Sequence, residues 1–309
     1  MNIDVCIACD DNYAKYCATV MASIIENKAE TDMPVFHILH GGLSADNLEN
    51  LSRLGSVNFY KVDDKIFSQF LRKSKIGWTT PTLYRLKLAS ILDLDKVIYL
   101  DCDVIVTSSL KGYFEQDIDG YSLGVVPDVN YEAYMEGANI PKDQGYIYFN
   151  AGSLLMNLKK FRQDGIEEKL FDCLAEKWQD FVFSDQDALN SVLHKNVKKL
   201  EKRYNYLPTF VDLENSKNIN AHRDITVIHY AGQKPWELAF RSSIRDVFWQ
   251  YYKNCGCITE KQFRTEYNRY KMWNFTVTQF LYLLKLYPFG LFRASKRGLF
   301  KTVLRIRYK

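Results

Sequence analysis

The segment KVIYLDCDVIV, residues 96–106, restricts the fold of this chain more than any other stretch. Its apolar run has the character of a strand buried on both faces of a parallel sheet, yet it carries Asp101 and Asp103. Burying an ionised carboxylate alone is costly enough that such groups neutralise, pair or bind a metal. On one continuous strand, residues two apart share a face, so both carboxylates are expected together where the strand leaves the sheet. That carboxyl edge is where parallel sheets bind ligands. Two hard oxygen ligands suit Mg²⁺ or Mn²⁺, with diphosphate oxygens completing the shell. The competing reading is a surface turn after a core strand, because a D-x-D pattern recurs by chance.

The segments before this strand alternate in the way a parallel α/β sheet requires. IDVCIAC, PVFHILHGG and VNFYKVD read as strands, and YAKYCATVMASIIEN, SADNLENLSRLG and TLYRLKLASIL as the helices between and after them. The second helix has a Ser at its N-cap position and a Gly stop. The pattern predicts a Rossmann-type nucleotide-binding sheet. No G-x-G-x-x-G follows the first strand and no P-loop occurs, so phosphates must be held by another device. After Val106 the pattern becomes mixed. SLGVVPDV, GYIYFNAGSLLMNL and DITVIHYAG read as strands, with helices at about 159–178 and 185–194. The expected division is one α/β domain over residues 1–255 and a basic helical segment over 256–309.

Composition sharpens this division. Hydrophobic residues make up 47% of the 309 and charged residues 25%, enough for a sizeable core. Nine of the 41 Lys and Arg lie beyond residue 270, where there is no Asp or Glu, leaving 32 basic against 37 acidic residues before it. An acidic body argues against a nucleic-acid binder. The terminal LYLLKLYPFGLFRASKRGLFKTVLRIRYK interleaves Leu, Phe and Tyr with Lys and Arg, the pattern of an interfacial segment on anionic lipid; RNA binding and partner docking compete with that reading. No apolar run is long enough to cross a bilayer and the opening MNIDVCIACDD is no secretory signal. The expected location is therefore the cytoplasm, at the inner face of the membrane. The seven cysteines are expected as reduced, mostly buried thiols. Cys255 and Cys257 lack the further ligands that a structural zinc site needs.

A second motif, VIHYAGQKPW, places His229 at the end of an apolar strand, followed by Gly232 and Lys234 and a turn fixed by Pro235 and Trp236. Imidazole beside two carboxylates favours Mn²⁺ over Mg²⁺, although one His at a strand end is commonly a hydrogen-bonded structural residue.

Taken in order, IACDDNYAKY, YLDCDVIV, YFNAGSLLMNL, FSDQDALN and HYAGQKPW resemble the signature of glycosyltransferase family 8, from about residue 3 to 236. The resemblance implies a GT-A fold and a retaining, Mn²⁺-dependent transfer (Mg²⁺ the alternative) from a UDP-hexose, galactose foremost, to a lipid-linked lipopolysaccharide or lipooligosaccharide acceptor. A UDP-glucose enzyme and a non-catalytic nucleotide-sugar-binding protein are the alternatives. It implies metal ligation by Asp101, Asp103 and His229, with Cys102 counted in the donor site. It further implies nucleotide contacts at Ala8, Asp10, Asn12 and Tyr13, diphosphate contacts at Gly232 and Lys234, and sugar contacts at Arg85, Asn150, Ala151, Asp185 and Gln186. Gln186 is expected beneath the anomeric carbon with Asp185 beside it as the catalytic pair. Against these roles, Asp10 and Asp11 could cap the helix that follows, Asp185 could cap the helix at Gln186, and Arg85 could be a solvated helix residue. Trp78 and Pro81 fall in the segment expected to close over the donor, and PDVNYEAYMEGANIPKDQGY in that expected to face the acceptor.

Overall fold

In a computed structural model that describes residues 1–67, 70, 79–129, 131–208, 224–237 and 244–269, the first apolar run forms β1 (Asn2–Ala8), whose last four residues are all buried. It is flanked by β2 (Met33–His40) and β4 (Lys96–Leu100), and β3 (Ser56–Lys61) lies outside β2. Beyond β4 come β7 (Ser153–Asn157), β6 (Leu123–Val125) and β8 (Val197–Lys199), giving a seven-stranded order β3-β2-β1-β4-β7-β6-β8. All neighbours pair in parallel except β7, which runs antiparallel to both β4 and β6. This is the expected mixed Rossmann-like α/β sheet.

Helix α1 (Ala14–Asn27) buries Cys17, Ala18, Val20, Met21 and Ile24. Tyr16 on α1 meets Phe248 and Tyr252 of the helix Arg245–Asn254 at ring separations of 6.3 and 6.0 Å. The Ser44 hydroxyl caps α2 (Ala45–Ser52), accepting from Asn47 N–H. Residues 159–178 do not form one helix. Gly165, at φ +59°, separates Leu158–Gln163 from Ile166–Lys177, a left-handed conformation that glycine adopts without steric cost. TLYRLKLASIL likewise becomes short turns, Pro81–Tyr84, Arg85–Lys87 and Leu88–Ile91.

The largest departure concerns residues 96–106. They are not one strand: β4 stops at Leu100, and β5 (Val104–Val106) pairs instead with β9 (Val227–His229) in a separate two-stranded antiparallel sheet. The neighbours of β4 end at this level, with Leu100 opposite both Ile7 and Ser153. The two carboxylates therefore meet across a turn and not by strand alternation. Asp101 N–H still reaches Gly152 O at 2.9 Å, and the Cys102 thiol donates to Ala8 O at 3.3 Å, which ties the turn to the tip of β1.

GYIYFNAGSLLMNL is also strand only at its end. Across Phe149–Gly152 the ladder is largely replaced by side chains. Asn190 both accepts from Phe149 N–H and donates to Phe149 O at 2.8 Å, Gln186 Oε1 accepts from Ala151 N–H at 2.9 Å, and Asn150 Oδ1 accepts from Gly152 N–H at 2.9 Å. Buried backbone groups must be paired, and amide side chains with both donor and acceptor can pair them.

The described residues fall into two compact units, one of 1–235 with 244–259 and a second containing 236–237 with 260–269, of which 260–269 are helical. Trp78 and the basic stretch 271–309 lie outside the described residues. Among the described residues no helix is long and apolar enough to cross a membrane.

The β5–β9 pair is anchored to α1 by Ser23, which is buried, accepts from Val106 N–H at 3.0 Å and donates to Val20 O at 2.7 Å. Removing that hydroxyl leaves a buried N–H without its acceptor, so Ser23→Ala is expected to lower the unfolding free energy by about 1–3 kcal/mol in a denaturant titration. A variant that unfolds at the wild-type midpoint would show the anchor to be dispensable.

Candidate active site

The antiparallel register of β5 and β9 sets Val104 opposite His229. The ring is thereby carried next to Asp103, whose carbonyl accepts from Tyr230 N–H at 2.9 Å. Ligand atoms of Asp101, Asp103 and His229 all lie within 4.8 Å of one another, and this is the one such cluster of His, Cys, Asp and Glu among the described residues. His229 Nε2 is 3.3 Å from Asp103 Oδ1, and the Lys234 ammonium sits on Asp103 Oδ2. Burial pushes the Asp103 pKa up, but Lys234 and His229 more than offset it and hold the carboxyl well below the usual range. Asp103 is thus a permanent anion in a buried setting.

Gly152 keeps the space among these groups open. A Cβ added there would lie 2.1 Å from His229 Cε1, 2.6 Å from His229 Nε2 and 2.8 Å from Asp101 Oδ2. Two carboxylates and one imidazole around a space that admits no methyl group form a donor set suited to a divalent cation of the Mg²⁺ or Mn²⁺ kind.

Behind the cluster stands Arg85, which is not a solvated helix residue but 3% exposed. Its Nη2 is 2.6 Å from Asp101 Oδ1, its Nε 3.0 Å from Asp185 Oδ2, and its Cζ 4.4 Å from the centre of the Tyr99 ring. Burial opposes the guanidinium charge, yet Asp101, Tyr99 and Asp185 together raise its pKa. The Tyr99 hydroxyl adds a 3.1 Å hydrogen bond to Asp101. Asp185 is pushed up to about 6 by burial and by Asp101, against the pull of Arg85.

Asp185 makes no helix cap. Ser184–Leu193 begins without a side-chain cap bond at Phe183. It is Asp187 that takes the Val182 and Phe183 N–H groups, at 2.7 and 2.6 Å, along with the Tyr148 hydroxyl at 2.5 Å. Gln186 projects from the same first turn, its Nε2 3.3 Å from Asp128 Oδ2 and 3.2 Å from Tyr148 Oη. Asp128, Tyr148, Asp187 and Gly152 were not singled out from the sequence. Asp187 sits inside the quoted SDQD run and Gly152 two residues after Asn150, so proximity to those motifs was the available signal.

At the tip of β1, Ala8 is buried and its carbonyl is tied to Cys102. The hydrogen bond with Cys17 lowers the Cys102 pKa, but burial and the nearby Cys9, Asp101 and Asp103 outweigh it and push the thiol up to about 11. Asp10 Oδ1 accepts from Tyr13 N–H at 2.9 Å, so it does bond at the start of α1. Asp11 instead fastens α2 by accepting from Ser44 N–H and Asn47 Nδ2, both at 2.8 Å. Asn12 is exposed and Tyr13 half-buried. After β9, Gly232 has φ +81°, and Lys234 follows it and pairs with Asp103. Burial raises the Tyr13 pKa, against the pull of the Lys234 charge.

This geometry has counterparts among known proteins. Residues 4–239 match the family model described as glycosyl transferase family 8. The glycosyltransferase GlyF of Streptococcus pneumoniae serotype 4 is 28% identical over 261 residues, which span 81% of this chain but only 61% of GlyF. The lipopolysaccharide 1,2-glucosyltransferase of Escherichia coli is 29% identical over 243 residues, 74% of this chain and 71% of that enzyme. The crystal structure of the galactosyltransferase LgtC with donor and acceptor sugar analogues superposes with a TM-score of 0.74 at 28% identity, covering 85% of this chain and 100% of LgtC. The mixed sheet of the GT-A type, the acidic turn after β4 and the match over residues 4–239 converge on one conclusion: this chain belongs to glycosyltransferase family 8.

Proposed function

We propose that the chain is a retaining hexosyltransferase that uses UDP-hexose, galactose foremost, and a divalent cation, Mn²⁺ foremost, to extend a lipopolysaccharide or lipooligosaccharide saccharide. The observation that carries this reading is the Asp101–Asp103–His229 cluster with Lys234 on Asp103. The likeness to the Escherichia coli glucosyltransferase and to the galactosyltransferase LgtC supports transfer of a hexose, and the former supports a lipopolysaccharide acceptor. Because the Escherichia coli relative is a glucosyltransferase, UDP-glucose is the second donor to test.

A bound divalent cation supplies Lewis acidity to the donor diphosphate. The chain's own residues do the rest. Asp101, Asp103 and His229 Nε2 are the ligands, and Lys234, held at the site by Asp103, neutralises the phosphate that departs. Tyr13 offers a ring face to the base, and Asp10 and Asn12 offer hydrogen-bonding groups to base and ribose. Arg85 locks Asp101 and Asp185 in place from behind. Gln186 stands beneath the anomeric carbon, where its amide is a poor nucleophile and its Oε1 is already engaged by Ala151 N–H. This engagement favours attack by the acceptor hydroxyl on the face the phosphate leaves, with that phosphate taking the proton. The segment PDVNYEAYMEGANIPKDQGY, residues 127–146, is assigned to the acceptor. The basic aromatic stretch from 271 onward, by its composition, is assigned to anionic lipid, which places the enzyme beside a lipid-linked acceptor.

With Mn²⁺ and a panel of UDP-sugars, the wild type is expected to release UDP from one UDP-hexose, and Asp103→Asn to lose roughly 10²–10³-fold in kcat, as for removal of a key electrostatic group; no turnover of any UDP-sugar would sink the enzyme reading, and a glycosyl adduct trapped on Asp185 would overturn same-face attack. Gly152→Ala places a methyl between His229 and Asp101, so Mn²⁺ binding by calorimetry should be lost while the circular dichroism spectrum is kept. Wild-type affinity in that variant would show the cation to bind elsewhere. Deleting residues 271–309 should release the protein from membrane pellets and leave activity on soluble acceptors intact; unchanged fractionation would refute the lipid assignment.

A further inference from the structure

The imidazole of His229 is held from behind by a run of amides whose directions are forced. The backbone N–H of Gly152 is only a donor, and it lies 2.9 Å from Asn150 Oδ1, so the Asn150 oxygen must face it. The Asn150 amide nitrogen then points to the carboxylate of Asp128, 3.1 Å from Oδ2. The same Asn150 oxygen accepts from Asn205 Nδ2 at 2.9 Å, which turns the Asn205 carbonyl oxygen toward His229 Nδ1 at 3.0 Å. A carbonyl oxygen only accepts, so Nδ1 carries the proton. In neutral imidazole that leaves the lone pair on Nε2.

Nε2 in turn faces Asp103 Oδ1 at 3.3 Å. With the proton on Nδ1, two acceptors stand opposite each other, and a cation between them satisfies both. Asn205 is 1% exposed, so bulk water does not supply an alternative partner for Nδ1. Nor does anything in the motif HYAGQKPW point to it, since Asn205 lies 24 positions before His229, next to the short helical turn Lys202–Tyr204.

We propose that Asn205 is a positioning residue that selects the Nδ1–H tautomer of His229 and so presents Nε2 to the divalent cation. The run continues on the other side, because Asp128 Oδ2 accepts from Gln186 Nε2 as well as from Asn150. One chain of hydrogen bonds therefore sets both the imidazole ligand and the amide assigned to the sugar. The inference deepens the metal-site reading given above and rests on it.

The test reads the tautomer and the metal separately, in wild type, Asn205→Leu and Asn205→Asp. Two-bond nitrogen–proton correlation spectra of the ¹⁵N-labelled, metal-free protein identify which ring nitrogen of neutral His229 is protonated, and calorimetry gives the Mn²⁺ dissociation constant. The wild type should show Nδ1–H. Asn205→Leu should shift the proton to Nε2, where Asp103 accepts it, and weaken Mn²⁺ binding by roughly 10–100-fold, while Asn205→Asp keeps an acceptor at Nδ1 and stays within about threefold of wild type. An Nε2–H wild type, wild-type Mn²⁺ affinity in Asn205→Leu, or equal losses in the Leu and Asp variants would each overturn the role of Asn205. A wild type that shows Nδ1–H yet binds no Mn²⁺ overturns the metal-site reading itself, and the ligand role with it. If the leucine variant does not fold, the wild-type tautomer and the near-isosteric Asp variant still decide the outcome.

Discussion

A guanidinium cannot shed its charge at any pH a protein meets, and in this chain one is enclosed at 3% exposure, between β4 and the first turn of Ser184–Leu193. Arg85 therefore dictates where negative charge must lie. Asp101 and Asp185 converge on it at 2.6 and 3.0 Å, and the Tyr99 ring covers its face at 4.4 Å. Removing one partner from such a buried set costs about 3–5 kcal/mol, because the remaining charge is left uncompensated. The arrangement explains why the acidic turn, the helix Ser184–Leu193 and the central sheet stay in register: each supplies one side of a single electrostatic cage.

Charge balance at the front of the cage has a different character. Asp103 is neutralised by Lys234, carried on the loop that follows β9, while His229 at the end of β9 stands 3.3 Å from its other oxygen. One carboxylate of the pair is thus tied to the interior through Arg85, and the other to the segment that follows β9. At Gly152 the missing side chain lets the His229 ring and Asp101 approach the backbone, where a Cβ would collide with both.

Amide side chains perform the second structural task. Where β7 would have to continue past Ser153 toward Phe149, the backbone is taken over by Asn190, Gln186 and Asn150. Exchanging ladder bonds for side-chain bonds lets a buried segment bend without orphaned polar groups. It also converts backbone geometry into side-chain geometry, since each amide that satisfies a peptide group has its remaining atoms aimed in a fixed direction. Gln186 and Asn150 point toward Asp128 for this reason.

From the sequence alone, hydrophobic periodicity determined the parallel strand and helix order through β4, because burial on both faces demands continuous apolar runs. The motif chemistry likewise marked Asp101, Asp103, His229 and Lys234, since carboxylates and imidazole after apolar strands need an explanation whatever the fold. Only the tertiary structure decided how they meet. The assumed single strand is broken at Leu100, and His229 reaches Asp103 through the register of β5 with β9, 125 positions apart at Val104 and His229. Arg85 and Asp185 are ion partners 100 positions apart; their burial was invisible locally because charged helix residues are solvated by default. Asn205 carries no motif at all. Its importance comes from two hydrogen-bonding neighbours brought together by folding, and a long-range contact of that kind leaves no trace in local composition or period.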